Sequence, residues 1–302
     1  MKLKKPKIIV VVGPTASGKT GLAIKIAKKF GGEIVSADSR QIYRGMDIGT
    51  AKPTKKEMAA IPHYLIDINN PDENYTVAEY KRDAVKAIKS ILKKGKLPIL
   101  VGGTGLYVKS VIDNLEIPNV PPDPKLRQKL ELRIKNYGLK SLYNELIKLD
   151  PEAAYIVDPH NPRRIIRALE IALKTKKPFS AQRKAGRMIF DFIEFGIYRP
   201  KEELEKRIDK RIDLMMKDGF LKEVKELVEK YGQNNQNFDT IGYREIIDYL
   251  NRKITLPEAV ELIKKNTRNY AKRQMTWFRK DKRIRWIKDE KEALSLGASF
   301  LS

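Results

Sequence analysis

One stretch near the amino terminus combines glycines, a lysine and a threonine at a spacing that suits phosphate binding. Gly13-Pro14-Thr15-Ala16-Ser17-Gly18-Lys19-Thr20 matches the pattern G-x-x-x-x-G-K-[ST] in full. The glycines let successive backbone N–H groups, those of residues 15–20, converge on an anionic oxygen. Lys19 adds a mobile positive charge, and Thr20 offers a hydroxyl to Mg²⁺. The loop indicates a phosphate or diphosphate ligand without saying which molecule carries it.

A single carboxylate, Asp38, follows the next predicted strand, Glu33–Ser36. Because it comes just past the carboxyl end of that strand, it is expected on the edge of the sheet where ligands gather. A carboxylate there could bind a metal ion, cap a helix or accept a proton from a nucleophile. The residue types alone leave catalysis and capping about equally supported.

ATP hydrolysis by a protein with such a loop normally requires an acidic residue at the end of an apolar strand. The strand candidate Leu97–Val101 is followed instead by Gly102-Gly103-Thr104-Gly105, which holds no carboxylate. Leu65-Ile66-Asp67 is the remaining candidate, although an Asp at a strand end is about as often a turn residue. ATP hydrolysis therefore stays open but without support.

The elements that must position these residues alternate between strand and helix over the first 115 residues. Apolar and β-branched runs predict strands, and helices separate them, one of them over 77–94. The predicted strands are Ile8–Val12, Glu33–Ser36, Tyr64–Asp67 and Leu97–Val101. The alternation predicts an α/β fold with a phosphate-loop NTPase-like, doubly wound parallel sheet.

The pattern changes to helices after Leu115. Asp123-Pro124, Asp150-Pro151 and Asn161-Pro162 each place a capping side chain before a proline, which predicts three helix starts. No strand pattern returns until residues 189–198. We therefore expect a catalytic core of residues 1–115 and 189–302, and an inserted helical domain of residues 116–188.

The carboxyl-terminal region is predicted to be helical up to a short strand at Ile284–Ile287. Its longest helix should begin at Pro257 and end near Arg279, with one apolar and one basic face. The apolar stripe holds Val260, Ile263, Tyr270 and Trp277, and the basic face holds Lys265, Arg268, Lys272 and Arg279. For Trp277, packing in the interior is the expectation.

Composition narrows the class of protein. The 302 residues carry a net charge of +24, which points to a polyanionic partner. The absence of cysteine excludes disulfides, thiolate metal sites and a cysteine nucleophile, and two histidines leave little for a His-rich metal site. Only five unbroken apolar residues follow the basic amino terminus, so neither a signal peptide nor a membrane span is expected. We expect a cytoplasmic, monomeric protein.

Several blocks along nearly the whole chain together resemble the tRNA dimethylallyltransferase (tRNA isopentenyltransferase) family. Beside the phosphate loop, the blocks are Asp38-Ser39-Arg40-Gln41-Ile42-Tyr43, residues 47–53, residues 102–107, residues 163–170, Ile241-Gly242-Tyr243-Arg244-Glu245 and residues 270–278. One small departure is Tyr64, where a second histidine after His63 would be expected.

The resemblance implies transfer of a dimethylallyl group from dimethylallyl diphosphate to N6 of adenosine 37, next to the anticodon of a tRNA, with Mg²⁺ held by Thr20. An exocyclic adenine amine is a poor nucleophile, and the resemblance makes Asp38 its hydrogen-bond acceptor or general base. Thr104 resembles a second N6 contact, and Lys19 and Arg207 resemble groups that stabilise the departing diphosphate. Without the family, a solvated helix face would be favoured for Arg207.

The tRNA side is implied by the same resemblance. The target base must turn out of a stacked loop to reach Asp38, and Ser39 and Gln41 lie close enough to contact its edge. The residues expected to contact tRNA, in addition to Asp38 and Thr104, are Ser39, Arg40, Gln41, Arg127, Arg163, Arg164, Arg167, Gly242, Tyr243, Arg244, Arg268 and Lys272. Residues 261–290 hold eleven Lys or Arg against four acidic residues.

Two rival functions remain from the residues alone. A small-molecule kinase would share the phosphate loop, the sheet and an inserted lid, but would not explain the net charge of +24. A non-enzymatic RNA-binding protein would explain the charge, but not the intact Lys19, Thr20 and Asp38.

Overall fold

The computed structural model of the chain describes residues 5–118, 120–182 and 185–302. The first four residues of the basic amino-terminal segment therefore lie outside the described part. The chain divides into two compact units. The core unit comprises Met1–Ile112 and Ile189–Ser302, and the insert unit comprises Asp113–Met188.

The core unit contains a six-stranded sheet in the order β3-β2-β4-β1-β5-β6. The strands are β1 (Lys7–Val12), β2 (Gly32–Ser36), β3 (His63–Tyr64), β4 (Leu97–Gly102), β5 (Asp191–Ile197) and β6 (Ile284–Ile287). Every neighbouring pair is parallel. The predicted parallel α/β sheet is thus confirmed, and all carboxyl ends meet at one edge.

Eleven α-helices lie in the described part of the chain. They are α1 (Lys19–Phe30), α2 (Lys55–Ala60), α3 (Val77–Lys93), α4 (Gly105–Ile112), α5 (Pro124–Leu149), α6 (Pro162–Thr175), α7 (Lys201–Lys217), α8 (Phe220–Tyr231), α9 (Tyr243–Leu250), α10 (Leu256–Phe278) and α11 (Glu290–Leu301). Helices α3 and α4 pack on one face of the sheet, and α1 and α11 pack on the other. Because both faces are covered, residues 8–12 of β1 are completely buried.

Helices α7 to α10 form a second layer of core with the segment that follows β2. Phe220, Tyr243 and Ile263 pack there around Ile42 and Met46. This packing places the middle of α7 and the carboxyl-terminal part of α10 beside the loops at the carboxyl edge of the sheet, as the hydrogen bonds of Arg207, Arg211 and Gln274 show.

The predicted strand over residues 64–67 is wrong beyond Tyr64. Leu65 and Asp67 have φ values of 64° and 55°, in the left-handed region, so the extended backbone cannot continue. The Asp67 carboxylate forms an ion pair with Lys52, whose ammonium group also contacts Asp47 at 2.5 Å. Asp67 therefore ends no strand and supports a loop rather than an ATPase metal site.

The insert unit is helical, with a core formed by α5 and α6. Asp123 accepts the N–H of Leu126 and Asn161 accepts that of Arg164, as their positions before proline predict. The third predicted helix start is only partly right, because Pro151–Tyr155 forms a short 3₁₀ helix. The Asp150 carboxylate does not cap this turn and instead accepts hydrogen bonds from the N–H and hydroxyl of Ser180.

Helix α10 begins one residue before the predicted position and is capped by Thr255, which forms a capping box with Glu258. Its buried positions are Ala259, Ile263, Thr267, Ala271, Gln274 and Phe278. Trp277 packs its indole against Gly105 but is 38 % exposed, so the predicted packing is only partly right. The helix touches neighbours on two sides, and a single predicted stripe could not represent both contacts. None of the described helices is long and apolar enough to cross a membrane.

Candidate active site

The phosphate loop connects β1 to α1 and is shaped by its glycines. Gly18 has a φ of 98°, a conformation that a side chain would strain, and it directly precedes the first turn of α1. Lys19 and Thr20 are the first two residues of that helix. The ammonium group of Lys19 donates to the carbonyl of Pro14 at 2.7 Å, so it lies curled back over the loop.

The sequence predicts that the N–H groups of residues 15–20 all face an anionic ligand. In the structure, some of them already have partners within the protein. The N–H of Thr15 donates to the side-chain oxygen of Gln274 at 2.8 Å, and that of Ser17 donates to Pro14 at 3.3 Å. The N–H groups of Thr15 and Ser17 are therefore already engaged within the protein. An N–H that already has a strong partner inside the protein has little to offer an anion.

The ammonium group of Lys19 is buried, which disfavours its charged form. Burial lowers the pKa of its ammonium group to about 8, against a raising effect of Asp38 and a further lowering effect of Arg211. A desolvated cation that forms no ion pair within the described residues gains most from an incoming anion.

Two arginines of α7 reach the same loop. The Nε of Arg207 donates to the carbonyl of Ala16 at 2.8 Å, and Nη2 of Arg211 donates to the hydroxyl of Thr15 at 2.7 Å. The side chain of Arg207 is about half exposed, but it lies against the phosphate loop rather than on a purely solvated face. The Nε of Arg211 is buried without a hydrogen-bond partner, and burial lowers the pKa of its guanidinium to about 10.

Asp38 lies in the turn that follows β2, and one of its carboxylate oxygens stabilises that turn. Its Oδ1 accepts the N–H groups of Arg40 at 2.8 Å and Gln41 at 3.4 Å, which stabilises the turn. Within the described part of the chain, no hydrogen bond occupies the other oxygen, Oδ2. One oxygen of the carboxylate is thus engaged with the turn, and the other is available to a ligand.

Thr104 lies beside this turn, although 65 residues separate it from Ser39. The Thr104 hydroxyl accepts the N–H of Ser39 at 3.1 Å and donates to the Ser39 hydroxyl at 3.3 Å. Tyr270 of α10 forms a further hydrogen bond with Thr104, and burial raises the pKa of its phenol to about 12. The tyrosine therefore stays protonated at any physiological pH.

The neighbours of Asp38 are partly used by the fold. The amide of Gln41 donates to the carbonyls of Thr50 and Ala51 at 3.3 and 3.2 Å. Arg40 donates to the side chain of Asn237 at 3.2 Å. These contacts fix the 38–41 turn against the loop that follows it.

A cavity of about 460 Å³ joins the two groups of residues. Its polar lining includes Lys19, Thr20, Asp38, Gln41, Arg207 and Arg211. Its apolar lining includes Ala23, Ile34, Pro53, Ile66 and Val101. His63 also contributes, and its Nε2 is buried without a hydrogen-bond partner. One cavity therefore offers cations, a carboxylate and an apolar wall.

The structure places some residues predicted to contact tRNA in ion pairs of their own unit. Arg127 and Arg167, both in the insert unit, bind the carboxylate of Glu170, which is completely buried. Arg167 also donates to the carbonyl of Val120 at 2.8 Å. Both arginines keep about a third of their side chain exposed, and Arg163 and Arg164 are exposed at the start of α6.

The structure contradicts the prediction that the side chain of Tyr243 contacts tRNA. It is completely buried, and its hydroxyl donates to Glu223 at 2.6 Å, so its side chain cannot contact an RNA. The N–H of Gly242 donates to Glu245, and Arg244 pairs with Asp239 and Glu245. This block builds the core around α9, which explains its residue types without RNA.

On α10, the basic residues divide into paired and exposed ones. Arg268 binds both carboxylate oxygens of Asp209 at 2.7 and 2.8 Å, whereas Lys265 and Lys272 are exposed. The predicted basic face therefore exists, but Arg268 contributes less free charge to it than the pattern indicates.

Sequence reasoning did not single out Arg211 or Gln274. Arg211 lies four residues after Arg207, the spacing that puts two side chains on the same helix face, and this signal was present in the sequence. Gln274 carries no comparable signal, because a glutamine between apolar positions does not reveal which backbone groups it binds.

Comparison with known proteins finds similar sequences over nearly the whole chain. The family described as IPP transferase matches residues 41–281. The chain is 51% identical to a tRNA dimethylallyltransferase of Acetivibrio thermocellus over 94% of this chain and 92% of that protein. Against a Staphylococcus epidermidis tRNA dimethylallyltransferase it is 43% identical, with 98% and 90% covered.

Solved structures show the same similarity. The full-length tRNA isopentenylpyrophosphate transferase of Bacillus halodurans superposes with a TM-score of 0.73 at 40% identity, covering 98% of this chain and 96% of that one. A eukaryotic dimethylallyltransferase acting on tRNA gives 0.72 at 34% identity, with 90% and 69% covered. Since the family match spans well over half of the sequence and includes Asp38's neighbour Gln41, Thr104 and both α7 arginines, the chain belongs to the IPP transferase family.

Proposed function

We propose that this protein transfers a dimethylallyl group from dimethylallyl diphosphate to N6 of adenosine 37, next to the anticodon of tRNA. The family and its named relatives support this reaction. The observation that carries it in this chain is the shared cavity, where the phosphate loop and the Asp38 turn face the same space.

The diphosphate lies, in this proposal, at the phosphate loop. As the bond between C1 and the diphosphate oxygen breaks, negative charge collects on the leaving group. Lys19, Arg207 and Arg211 supply positive charge there, and the amino terminus of α1 adds its dipole. These groups act before the reaction as well, but their stabilisation is greatest when the charge is fully developed.

The adenine lies at the Asp38 turn. Its N6 attacks C1 of the allyl group, so an N–C bond forms while the C–O bond breaks, and one N6 proton is lost. Asp38 accepts that proton through Oδ2, because Oδ1 is already engaged with the backbone of the turn. Thr104, held by Ser39 and Tyr270, orients the amine.

Mg²⁺ fits this site only together with the diphosphate. No group of three or more acidic or histidine side chains in the described part of the chain could hold an ion alone. Thr20 supplies one hydroxyl to the cavity, and Mg²⁺ commonly uses one or two protein oxygens together with substrate phosphates and water. The bound ion would neutralise charge on the leaving diphosphate.

The tRNA contacts are assigned to two surfaces. Exposed Lys265 and Lys272 on α10 neutralise phosphates beside the cavity, and Arg163 and Arg164 present positive charge on the insert unit. Ser39, Arg40 and Gln41 line the approach to Asp38. The residues that line the cavity belong to the core unit.

The experiment that tests this function supplies unmodified tRNA with either dimethylallyl diphosphate or ATP, followed by mass analysis of the nucleosides. We expect N6-dimethylallyladenosine with the first donor and no phosphoryl transfer with the second. Phosphoryl transfer from ATP without prenyl transfer would instead establish a kinase.

A further inference from the structure

A glutamine of α10 lies between the two loops of the site. Gln274 is 6 % exposed and makes one hydrogen bond to each loop. Its Oε1 accepts the N–H of Thr15 in the phosphate loop at 2.8 Å, and its Nε2 donates to the carbonyl of Gly103 at 2.8 Å. The oxygen and the nitrogen of this side-chain amide therefore each bind one of the two loops.

The sheet does not fix these loops to each other beyond the strand ends. Strands β1 and β4 are neighbours, and their pairing ends at Val12 and Gly102. The phosphate loop and the Thr104 turn begin at the next residues. Gly103 has no side chain, and a Cβ there would lie 2.4 Å from Nε2 of Gln274. The glycine thus leaves the space that the amide of Gln274 occupies.

We infer that Gln274 is a positioning residue, which holds the phosphate loop and the Thr104 turn at the separation that the transfer requires. The inference rests on the proposed function, because the leaving diphosphate and the attacking N6 lie on these two loops. Displacing one loop by about 1 Å relative to the other would misalign C1 and N6, an error that can reduce a rate about 100-fold. Gln274 itself reaches neither reacting atom.

The first test replaces Gln274 with methionine, which has similar length and no amide. We expect Gln274→Met to lower kcat at least tenfold and to weaken binding of inorganic diphosphate, with Mg²⁺ present, at least fivefold. Gln233→Met is the matched control, since Gln233 is exposed in the loop after α8. Unchanged kcat and unchanged diphosphate affinity in Gln274→Met would overturn the inference.

The second test distinguishes positioning from general stabilisation. If Gln274 acts partly by placing Thr104, its loss matters less once the Thr104 hydroxyl is gone. We expect the effect of Gln274→Met on kcat to be at least threefold smaller in a Thr104→Val background than in the wild type. Equal effects in both backgrounds would show that Gln274 only stabilises the fold.

Thermal unfolding of each variant is measured beside the kinetics. If Gln274→Met does not fold, Gln274→Asn keeps the amide but shortens the side chain, and the same decreases in kcat and diphosphate affinity are expected. The diphosphate arm does not depend on prenyl transfer. A wild-type protein that transfers no dimethylallyl group would contradict the proposed function, while diphosphate affinity would still decide the role of Gln274.

Discussion

At the residue scale, Asp38 has two carboxylate oxygens in different surroundings. Its Oδ1 stabilises the turn through the N–H groups of Arg40 and Gln41, which leaves Oδ2 for the substrate. An alanine at this position would remove both functions, so a loss of activity would not separate them. Asparagine keeps a side-chain oxygen for the turn and removes the base.

We therefore predict that Asp38→Asn lowers kcat at least 1,000-fold, in the upper part of the range for loss of a general base. The Kd for tRNA should change less than threefold, because the turn keeps its hydrogen bonds. Single-turnover prenylation and filter binding measure the two quantities. A tRNA affinity that falls as steeply as kcat would make Asp38 a binding residue.

Lys19 gives a prediction about pH. Because burial lowers its pKa to about 8, the charged form in the free enzyme is lost as pH rises through 8 rather than through 10.5. Affinity for inorganic diphosphate should therefore decrease between pH 7 and pH 9.5. Calorimetric titration measures it, and Lys19→Arg is the control, since arginine stays charged throughout this range. The same decrease in Lys19→Arg would assign the titration to another group.

A substitution of Arg211 can distinguish a role in diphosphate binding from a role in the stability of the fold. Its guanidinium is buried, Nε lacks a partner, and none of the ion pairs in the described part of the chain includes it. A buried charge without a carboxylate partner carries an uncompensated desolvation cost, and an apolar side chain in its place removes that cost.

We predict that Arg211→Met weakens diphosphate binding at least tenfold while the melting temperature stays equal or rises. Calorimetry and thermal unfolding provide the two measurements. A lower melting temperature with unchanged diphosphate affinity would show that Arg211 serves the fold alone.

At the element scale, the sheet edge at β2 and β3 explains one departure from the family pattern, Tyr64. Tyr64 donates to Glu33 at 2.7 Å and accepts a hydrogen bond from Lys94. Burial opposes ionisation of Glu33, but hydrogen bonds from Lys96, Tyr64 and Lys94 hold its pKa at about 2. The tyrosine belongs to a structural network rather than to the cavity, which His63 lines.

This network makes stability depend on pH. A carboxyl whose folded-state pKa is lowered from 4.5 to about 2 stabilises the fold above pH 4.5, and this contribution is lost as pH falls to 2. Glu33→Gln should lower the free energy of unfolding by about 1–3 kcal/mol at pH 7 and progressively less below pH 4.5. Urea denaturation across this pH range measures the difference. Glu229→Gln, an exposed glutamate of α8, is the control and should show little change.

A carboxylate of α8 fixes the loop that follows the Asp38 turn. The carboxylate of Glu223 accepts the N–H groups of Asp47, Ile48 and Gly49 at 2.6–3.1 Å, and also the hydroxyl of Tyr243. This arrangement explains why the blocks around residues 47–53 and 241–245 occur together. They build one support for the cavity wall formed by Thr50 and Ala51.

At the scale of the whole molecule, the net charge of +24 divides into parts with different uses. Lys19, Arg207 and Arg211 surround the phosphate loop. Arg127, Arg167 and Arg268 are held in ion pairs. The exposed lysines of α10 remain free to neutralise an RNA backbone, so salt dependence should report on them.

We predict that Lys265→Gln combined with Lys272→Gln weakens tRNA binding and reduces the slope of log K against log salt by about 1.4–1.8, the amount for two phosphate contacts. Filter binding over a range of salt concentrations measures this slope. Lys89→Gln with Lys93→Gln is the matched control, because these exposed lysines lie in the last two turns of α3, before the amino end of β4. Equal slopes in both double variants would show that the α10 face is only solvated.

The sequence by itself determined the parallel sheet, the phosphate loop and the family. Strand and helix periodicity are local, and the loop needs residues at fixed spacing in one stretch of chain. The placement of Asp38 also followed from the rule that carboxyl ends of parallel strands share an edge.

Only the tertiary structure decided which polar groups are used by the fold and which are left for substrates. The N–H of Thr15 donates to Gln274, which is 259 residues away in the chain, and the carboxylate of Asp67 pairs with Lys52. The side chain of Tyr243 is buried. A residue's type and spacing state what it can bind, but its partner is chosen by packing between distant segments. The free carboxylate oxygen of Asp38 and the buried charge of Arg211 are therefore properties of the fold.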